Sequence, residues 1–232
     1  IPMMENKYRK MLTIILSVVA AGVFGLLGFL AYDVYEKYAI QKANADIIER
    51  FDESVQNKEN TETNTDVTNN EEIPVINVID TGNNNNNSNN TSNSGNSKVT
   101  YKGYNVVGKI EIPSISLSYP ILERTTPDSI ELAVSVLYGP GPNKVGNTTI
   151  VGHNYRNGSF FGNNDKLVLG DKIYITDESG TRLKYNIYNI YETTPDDSDF
   201  ITRDTAGKRE ISLSTCTDNS KARLIIWAVE EQ

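Results

Sequence analysis

A stretch near the start of the chain, residues 11–31, contains no charged side chain. As a helix it is about 30 Å long, the thickness of a bilayer's hydrocarbon core, so it predicts a transmembrane anchor. Lys7, Arg9 and Lys10 precede it, and the positive-inside rule therefore places residues 1–10 in the cytoplasm and everything after residue 32 outside. The alternative is a cleaved signal peptide, whose apolar region is usually only about 7–15 residues.

Two further segments separate this anchor from the rest of the chain. Residues 32–56 predict a helical stalk, partly solvated or with a partner surface, in which several apolar side chains lie near one face: Tyr35, Tyr38, Ala45, Ile48, Phe51 and Val55. Residues 57–98 predict a flexible Asn/Ser-rich linker, because residues 81–97 are all Asn, Ser, Thr or Gly. Within it, the apolar run 73–79 either docks on a folded domain or is a solvated extended segment.

From residue 99 to 232 the sequence predicts a single, mainly β domain. Its candidate strands are rich in Ile, Val, Tyr and Thr and are bounded by turn residues: Asn105–Ile112, Ile115–Leu122, Asn147–Gly152, Lys172–Asp177, Leu183–Glu192, Arg209–Cys216 and Ala222–Val229. The stretch Pro127–Leu137 predicts one short helix, with Ile130, Val134 and Leu137 on one face. Seven or eight strands with one minor helix indicate a closed barrel or a sandwich.

Charge and rare residues exclude several function classes. The net charge is −8 at pH 7, the acidity is concentrated in residues 32–98, and no basic stripe favours nucleic-acid binding. The chain has one histidine, His153, and one cysteine, Cys216, so a zinc site built from several Cys and His ligands is not expected. Outside the cell a lone cysteine is an unpaired thiol. We therefore expect no metal and no cofactor.

The same two residues are the candidates for chemistry. Cys216 ends an apolar strand, and Arg223 begins the next one, so a short turn between antiparallel neighbours would bring them side by side. An arginine there can favour a thiolate and bind an oxyanion, while His153, at the end of a third strand, can protonate a leaving amine. The residues alone leave open a core cysteine and a loop histidine.

A family resemblance bears on this choice. Ser212-Leu-Ser-Thr-Cys216 resembles the TLxTC motif of sortases, with Ser212 in place of the first Thr. Arg223 follows where those enzymes carry an essential arginine, and Ile150-Val-Gly-His153-Asn is similar to their histidine-bearing strand end. The similarity covers roughly residues 104–230, and the order of His, Cys and Arg also matches.

The resemblance implies a membrane-anchored cysteine transpeptidase on a closed eight-stranded β-barrel with one or two short helices. Such an enzyme cuts an LPxTG-like sorting signal through a thioester and joins the surface protein to a cell-wall or pilin amine. Carried over to this chain, Cys216 is the nucleophile, His153 the general acid/base and Arg223 the oxyanion and positioning group. Thr215 matches a position that lines the substrate groove, and the acidic loop 193–207 would lie beside that groove.

The subclass and the alternatives follow from particular segments. The close Cys–Arg spacing resembles the compact class D or E enzymes, while residues around His153 and Cys216 share features with class B. Residues 139–147 contain no acid, so we expect no calcium requirement. A non-catalytic extracellular adhesin or sensor domain, with Cys216 as core packing, is the alternative from another class. A cysteine hydrolase that uses water as acceptor is a third hypothesis.

Overall fold

The computed structural model describes residues 2–63, 98–217 and 221–231. In chain order the elements are α1 (Pro2–Thr63), β1 (Thr100–Tyr101), β2 (Tyr104–Ile112), β3 (Leu117–Leu122), α2 (Pro127–Ile130), β4 (Val134–Tyr138), β5 (Gly146–Val151), β6 (Lys172–Asp177), β7 (Arg182–Thr193), β8 (Arg209–Thr217) and β9 (Ala222–Glu230). Single turns of 3₁₀ helix lie at Pro113–Ile115 and Asn164–Lys166.

Eight strands close into a barrel, as predicted. Their order is β2-β3-β4-β5-β8-β9-β7-β6, and β6 pairs back onto β2, while the two-residue β1 extends β2 outside the ring. Two of the pairings, β3–β4 and β5–β8, are parallel, and the others are antiparallel. The interior is filled by aliphatic side chains from every wall, including Ile110, Ile121, Ile150, Ile173, Leu213 and Ile226. Closure leaves the barrel strands without free edges.

The predicted helix Pro127–Leu137 is wrong beyond its first turn. Thr126 and Ser129 form a capping box at the start of α2, which ends at Ile130. The chain then becomes β4, which is parallel to β3 and antiparallel to β5. The apolar spacing that suggested a helix is outweighed by the sheet hydrogen bonds that close the barrel, and β-branched Val134 is fully buried there.

Helix α1 runs without a break through the predicted anchor and the predicted stalk and ends at Thr63, beyond the predicted stalk boundary. Its later part packs on the outside of the barrel, where Ile47 and Phe51 are 4% and 2% exposed and contact a cluster with Val106, Leu122 and Ala133. Tyr35, Tyr38 and Ala45, which the sequence suggested for this face, are exposed instead. Most of the predicted linker, including the run 73–79, lies outside the described residues.

Candidate active site

The β8–β9 hairpin brings the predicted nucleophile and the predicted arginine together. Cys216 is the register partner of Arg223 in the antiparallel pair, as expected from their spacing. The guanidinium Nη1 of Arg223 donates to the sulfur Sγ of Cys216 at 3.2 Å. Cys216 is a half-buried free thiol. This contact places a permanent positive charge directly beside the sulfur.

Alternation along β8 places the thiol outside the packed barrel. Ile211 and Leu213 belong to the core, so Ser212, Ser214 and Cys216 lie on the opposite face of the strand. The alternative of a cysteine packed in the core does not fit this position.

Parallel pairing with β8 brings the histidine to the same end of the barrel. The register runs from Gly146 opposite Arg209 to Val151 opposite Ser214, and His153 lies two residues past the end of β5. Two hydrogen bonds flank this position: Thr215 Oγ1 donates to the Gly152 carbonyl at 2.7 Å, and Asn154 Nδ2 donates to the Cys216 carbonyl at 2.7 Å. The backbone of His153 is thereby fixed beside that of Cys216.

The imidazole of His153 is held by a carboxylate that the sequence did not single out. Its Nε2 lies 2.9 Å from Oε1 of Glu131, the residue that follows α2. Oε2 of the same carboxylate accepts a 2.5 Å hydrogen bond from the hydroxyl of Tyr155. The Tyr155 ring also packs on the imidazole, with ring centroids 5.0 Å apart. Glu131 thus joins the two aromatic side chains and orients the imidazole.

Tyr155 stays a hydrogen-bond donor at neutral and alkaline pH. Burial raises the pKa of its phenol, and the hydrogen bond and negative charge of Glu131 raise it further. Because Tyr155 donates to Oε2 of Glu131, the other carboxylate oxygen, Oε1, remains available to the imidazole. No spacing rule in the sequence joins Glu131 to His153, because their contact depends on β4 lying between β3 and β5.

Thr215 takes a different position from the other predicted site residues. It is 3% exposed, and its hydroxyl is occupied by the Gly152 carbonyl. This bond fastens β8 to the end of β5 beneath the site. Its substrate-binding role stays a prediction, while the structure assigns it a clear part in holding His153 and Cys216 in register.

A buried polar network lies at the other end of the same strand face. Arg203, from the loop between β7 and β8, pairs with Glu210 and donates to Asn147 Oδ1 at 3.2 Å. Its guanidinium also lies over the Trp227 ring at 4.5 Å. Ser212 Oγ donates to the carbonyl of Phe200 in the same loop at 3.1 Å. The network fastens this loop to β5, β8 and β9.

The predicted groove loop, residues 193–207, uses two of its acidic side chains in local hydrogen bonds, since Asp204 accepts from the Ala206 amide and Asp197 has two donors. Asp197 accepts hydrogen bonds from the Thr193 hydroxyl and the Asp199 amide, and these bonds lower the pKa of its carboxyl. A cleft of about 670 Å³ lies between this loop and the end of β4, with Thr125, Tyr138 and Arg203 in its lining. Among residues 2–63, 98–217 and 221–231 no group of three or more His, Cys, Asp or Glu side chains is placed to hold a metal ion.

Comparison with known proteins decides the family. The family model described as the sortase domain matches residues 110–231, more than half of the chain. The chain belongs to the sortase family. Sortases are typically cysteine transpeptidases that attach proteins to the cell wall. The matched region contains His153, Cys216 and Arg223, and it coincides with the barrel rather than with α1.

Individual relatives agree with this assignment. Sortase A of Bacillus anthracis is 33% identical over 124 residues, which are 52% of this chain and 58% of that protein, so the chain spans less than two thirds of it. A sortase D5 transpeptidase of Clostridium perfringens superimposes with a TM-score of 0.51 at 30% identity, covering 55% of this chain and 80% of that one. Sortase A of Corynebacterium diphtheriae gives a TM-score of 0.51 at 30% identity, covering 56% and 62%.

Proposed function

We propose that this sortase is a membrane-anchored cysteine transpeptidase that cleaves an LPxTG-like sorting signal and joins the protein bearing it to an amine. The observation that carries the proposal is the 3.2 Å contact between Arg223 Nη1 and Cys216 Sγ at the strand end beside His153. A lone cysteine with a guanidinium on its sulfur and a carboxylate-held imidazole nearby has the groups that acyl transfer needs.

In the first step, the Cys216 thiolate attacks the carbonyl carbon of the scissile Thr–Gly bond. Arg223 donates to the oxygen on which negative charge develops. As the C–N bond breaks, protonated His153 gives its proton to the leaving amine, and the acyl group remains on sulfur as a thioester. In the second step an acceptor amine attacks the thioester, its proton passes to His153, and the thiolate is released.

Glu131 acts in this scheme as a positioning residue. Its Oε1 engages Nε2 of His153 at 2.9 Å, which leaves Nδ1 without a hydrogen-bond partner in the part of the chain that the structure describes. Nδ1 is therefore the nitrogen available to exchange a proton with the leaving and attacking amines.

The partners and the location follow from the family and from α1. One described helix is long and apolar enough to cross a membrane, and residues 11–31 lie exposed along it. We infer a single-pass anchor with the N-terminus in the cytoplasm and the barrel outside the cell. The substrates are surface proteins with a C-terminal LPxTG-like signal, and the acceptor is a cell-wall precursor or pilin amine. Assignment to the compact class D or E enzymes stays a prediction.

Replacement of the nucleophile tests the proposal. Cys216→Ala should abolish cleavage of an LPxTG-type peptide, and with the native protein an added amine should give a new amide product instead of hydrolysis alone. Ser116→Ala, in the exposed turn before β3, is a matched control that should retain full activity. A Cys216→Ala protein that still cleaves the peptide would contradict the assignment. An intact protein without any cleavage activity would favour a binding module.

A further inference from the structure

The second half of α1 carries a stripe of side chains that docks on the barrel. The stripe follows helical spacing and consists of Ile40, Asn44, Ile47, Phe51, Val55 and Lys58. Asp52, beside the stripe, forms an ion pair with Lys109 on β2, with Nζ of the lysine 2.7 Å from Oδ2 of the aspartate. The Lys58 Nζ donates to the Glu178 carbonyl at 3.0 Å. Contacts therefore extend over about five helical turns, which fixes the direction of the helix on the barrel.

The turn between β6 and β7 is shaped to receive this helix. Gly180 has a φ of +86°, and a Cβ built there would lie 2.6 Å from Cγ1 of Val55. A side chain at this position would be strained by the backbone and would also press against α1. The docking surface thus reaches the end of the barrel at which β6 turns into β7.

The opposite, N-terminal end of the docked segment lies at the active site. Ile40 packs against the main core cluster, and Asn44 of α1 and Tyr119 of β3 line the same groove. The Tyr119 ring stacks on Phe160 with centroids 5.2 Å apart, and the Phe160 ring lies edge-on to the imidazole of His153 at 6.4 Å. The charge of Glu36 also contributes to the raised pKa of Tyr155. Tyr155 contacts both His153 and Glu131. Glu36 is five residues past the apolar stretch that ends at Ala31, which is about 8 Å of helix.

Aromatic side chains mark the level at which the lipid surface would meet the helix. Tyr32, Tyr35 and Tyr38 are 65%, 70% and 62% exposed directly after the apolar stretch, and Tyr8 is exposed before it. Tyrosines in this arrangement form the belts typical of the two membrane interfaces. Ile40, the first residue of the docked stripe, comes two residues after Tyr38, so the active-site end of the barrel lies at nearly the same height along the helix as the outer tyrosines.

We propose that α1 is a rigid strut that presents the active-site end of the barrel to the bilayer surface, so that the enzyme acts on donor peptides held close to that surface. The inference rests on the proposed membrane anchor and deepens the proposed function. No Gly or Pro interrupts the sequence from residue 29 to 63, so the helix has no intrinsic hinge between the lipid and the docked stripe.

The strut changes the part played by the Asn/Ser-rich linker. In chain order almost the whole docking stripe precedes the predicted linker of residues 57–98, so the contact with the barrel is made before most of the linker. The length of the linker then does not set the distance from the membrane to Cys216. That distance is set by the number of helical residues between the apolar stretch and Ile40.

Insertion of seven helix-forming residues between Tyr38 and Ala39 tests the strut. Two turns raise the barrel by about 10 Å while nearly preserving its rotation. The matched control carries the same insertion between Asn85 and Asn86, after the docked stripe. Full-length proteins are reconstituted in vesicles and assayed with a soluble LPxTG-type peptide and with the same peptide attached to a lipid headgroup by a short tether.

Cleavage of the tethered peptide should fall about tenfold in the helix insertion alone, because the short tether no longer brings the peptide up to the raised active site and its effective concentration there drops. A longer tether should restore the cleavage rate of this variant. The soluble peptide should be cut equally by all three proteins. Equal cleavage of the tethered peptide by all three would overturn the strut, whereas no cleavage of the soluble peptide would overturn the proposed function instead.

A measurement without catalysis gives a second readout. Cys216 is the single cysteine, so a thiol-reactive fluorophore labels the site uniquely. Energy transfer from this label to acceptors on lipid headgroups should be strong in the native protein and in the linker insertion and weaker in the helix insertion. Weak transfer in the native protein, or the same transfer in all three, would contradict the proposal.

Discussion

The outer face of β8 has two ends that differ in how fully their polar groups are bonded. Around Glu210 and Ser212 many polar side chains bond to one another, although the indole nitrogen of Trp227 has no hydrogen-bond partner among the described residues. Arg203 alone contacts Glu210, Asn147 and the Trp227 ring. At Cys216, four residues further, the sulfur has one hydrogen bond, from Arg223, and the site is partly open. One end of this strand face, around Glu210 and Ser212, is therefore held by hydrogen bonds (the fastened end), and the other, at Cys216, carries the reactive groups (the reactive end).

The difference shows how a rigid barrel can leave reactive groups available. Buried hydrogen bonds hold the β7–β8 loop on the sheet, and none of them uses His153, Cys216 or Arg223. The groups that must exchange protons or receive substrate lie at the strand ends, where few neighbours compete for them. Variants at the fastened end should therefore change stability, and variants at the reactive end should change activity.

The largest expected change is the loss of stability on breaking the Arg203–Glu210 pair. Both side chains are about one-tenth exposed, so Arg203→Met leaves an unpaired buried carboxylate, which typically costs about 3–5 kcal/mol. Urea unfolding of the detergent-solubilised chain measures it. The double variant Arg203→Met/Glu210→Leu should recover much of the loss, and a double variant no more stable than the single one would contradict the account of the pair.

At the reactive end, Arg223→Ala should lower kcat/KM for peptide cleavage by about 10²–10³, the usual effect of removing an oxyanion donor. Its free energy of unfolding should change by about 0.5 kcal/mol or less, as for substitutions away from buried networks. Arg223→Lys keeps the charge but loses the planar fork of donors, so it should recover only part of the rate. A stability loss as large as that of Arg203→Met would remove the distinction between the two ends.

A smaller effect is expected from the carboxylate that orients His153. Glu131→Gln should lower kcat about tenfold with KM unchanged, because a neutral amide holds the imidazole less firmly than the carboxylate does. Tyr155→Phe, which leaves that carboxylate in place, should lower kcat less. Steady-state kinetics with a soluble peptide separate the two parameters. A rise in KM at constant kcat would instead mean that Glu131 binds substrate.

The smallest effect concerns alkaline pH at the fastened end. Burial and, next to it, the hydrogen bond to Glu210 together raise the pKa of Tyr188 to about 12. Because the folded pKa lies above the ordinary value of 10.0, the stabilisation is complete below pH 10 and is lost as the pH rises toward 12. Urea unfolding between pH 9 and 11.5 should show a shallower decline for Tyr188→Phe. Equal slopes would contradict this.

The sequence indicates those parts of the molecule that depend on short-range pairing. Cys216 and Arg223 are neighbours because a tight hairpin joins their strands, and their spacing alone predicted the contact that the register confirms. The β texture likewise predicted most of the barrel strands. The apolar spacing after Pro127 fits the period of a helix as well as that of a strand, so the sequence predicts a helix there. Only the pairing of β4 within the barrel decides for the strand.

Long-range contacts could not be obtained in this way. Glu131 meets His153 through a parallel strand pairing that has no local sequence marker. The docked face of α1 is predicted only in part: Phe51 and Val55 lie in the stripe, whereas the polar Asn44, which apolar spacing passes over, is also buried within it. Neither the small Gly180 that receives Val55 nor the partners of Arg203 could be recognised before the elements were assembled.

The most direct test of the central claim is the intact mass of the protein during reaction with an LPxTG-type peptide in the absence of an acceptor amine. The account predicts an added mass equal to the peptide up to its threonine, located on Cys216 and removed by hydroxylamine or by an acceptor amine. An acyl group found on a residue other than Cys216 would contradict the account. Cleavage of the peptide by a variant that lacks Cys216 would contradict it as well.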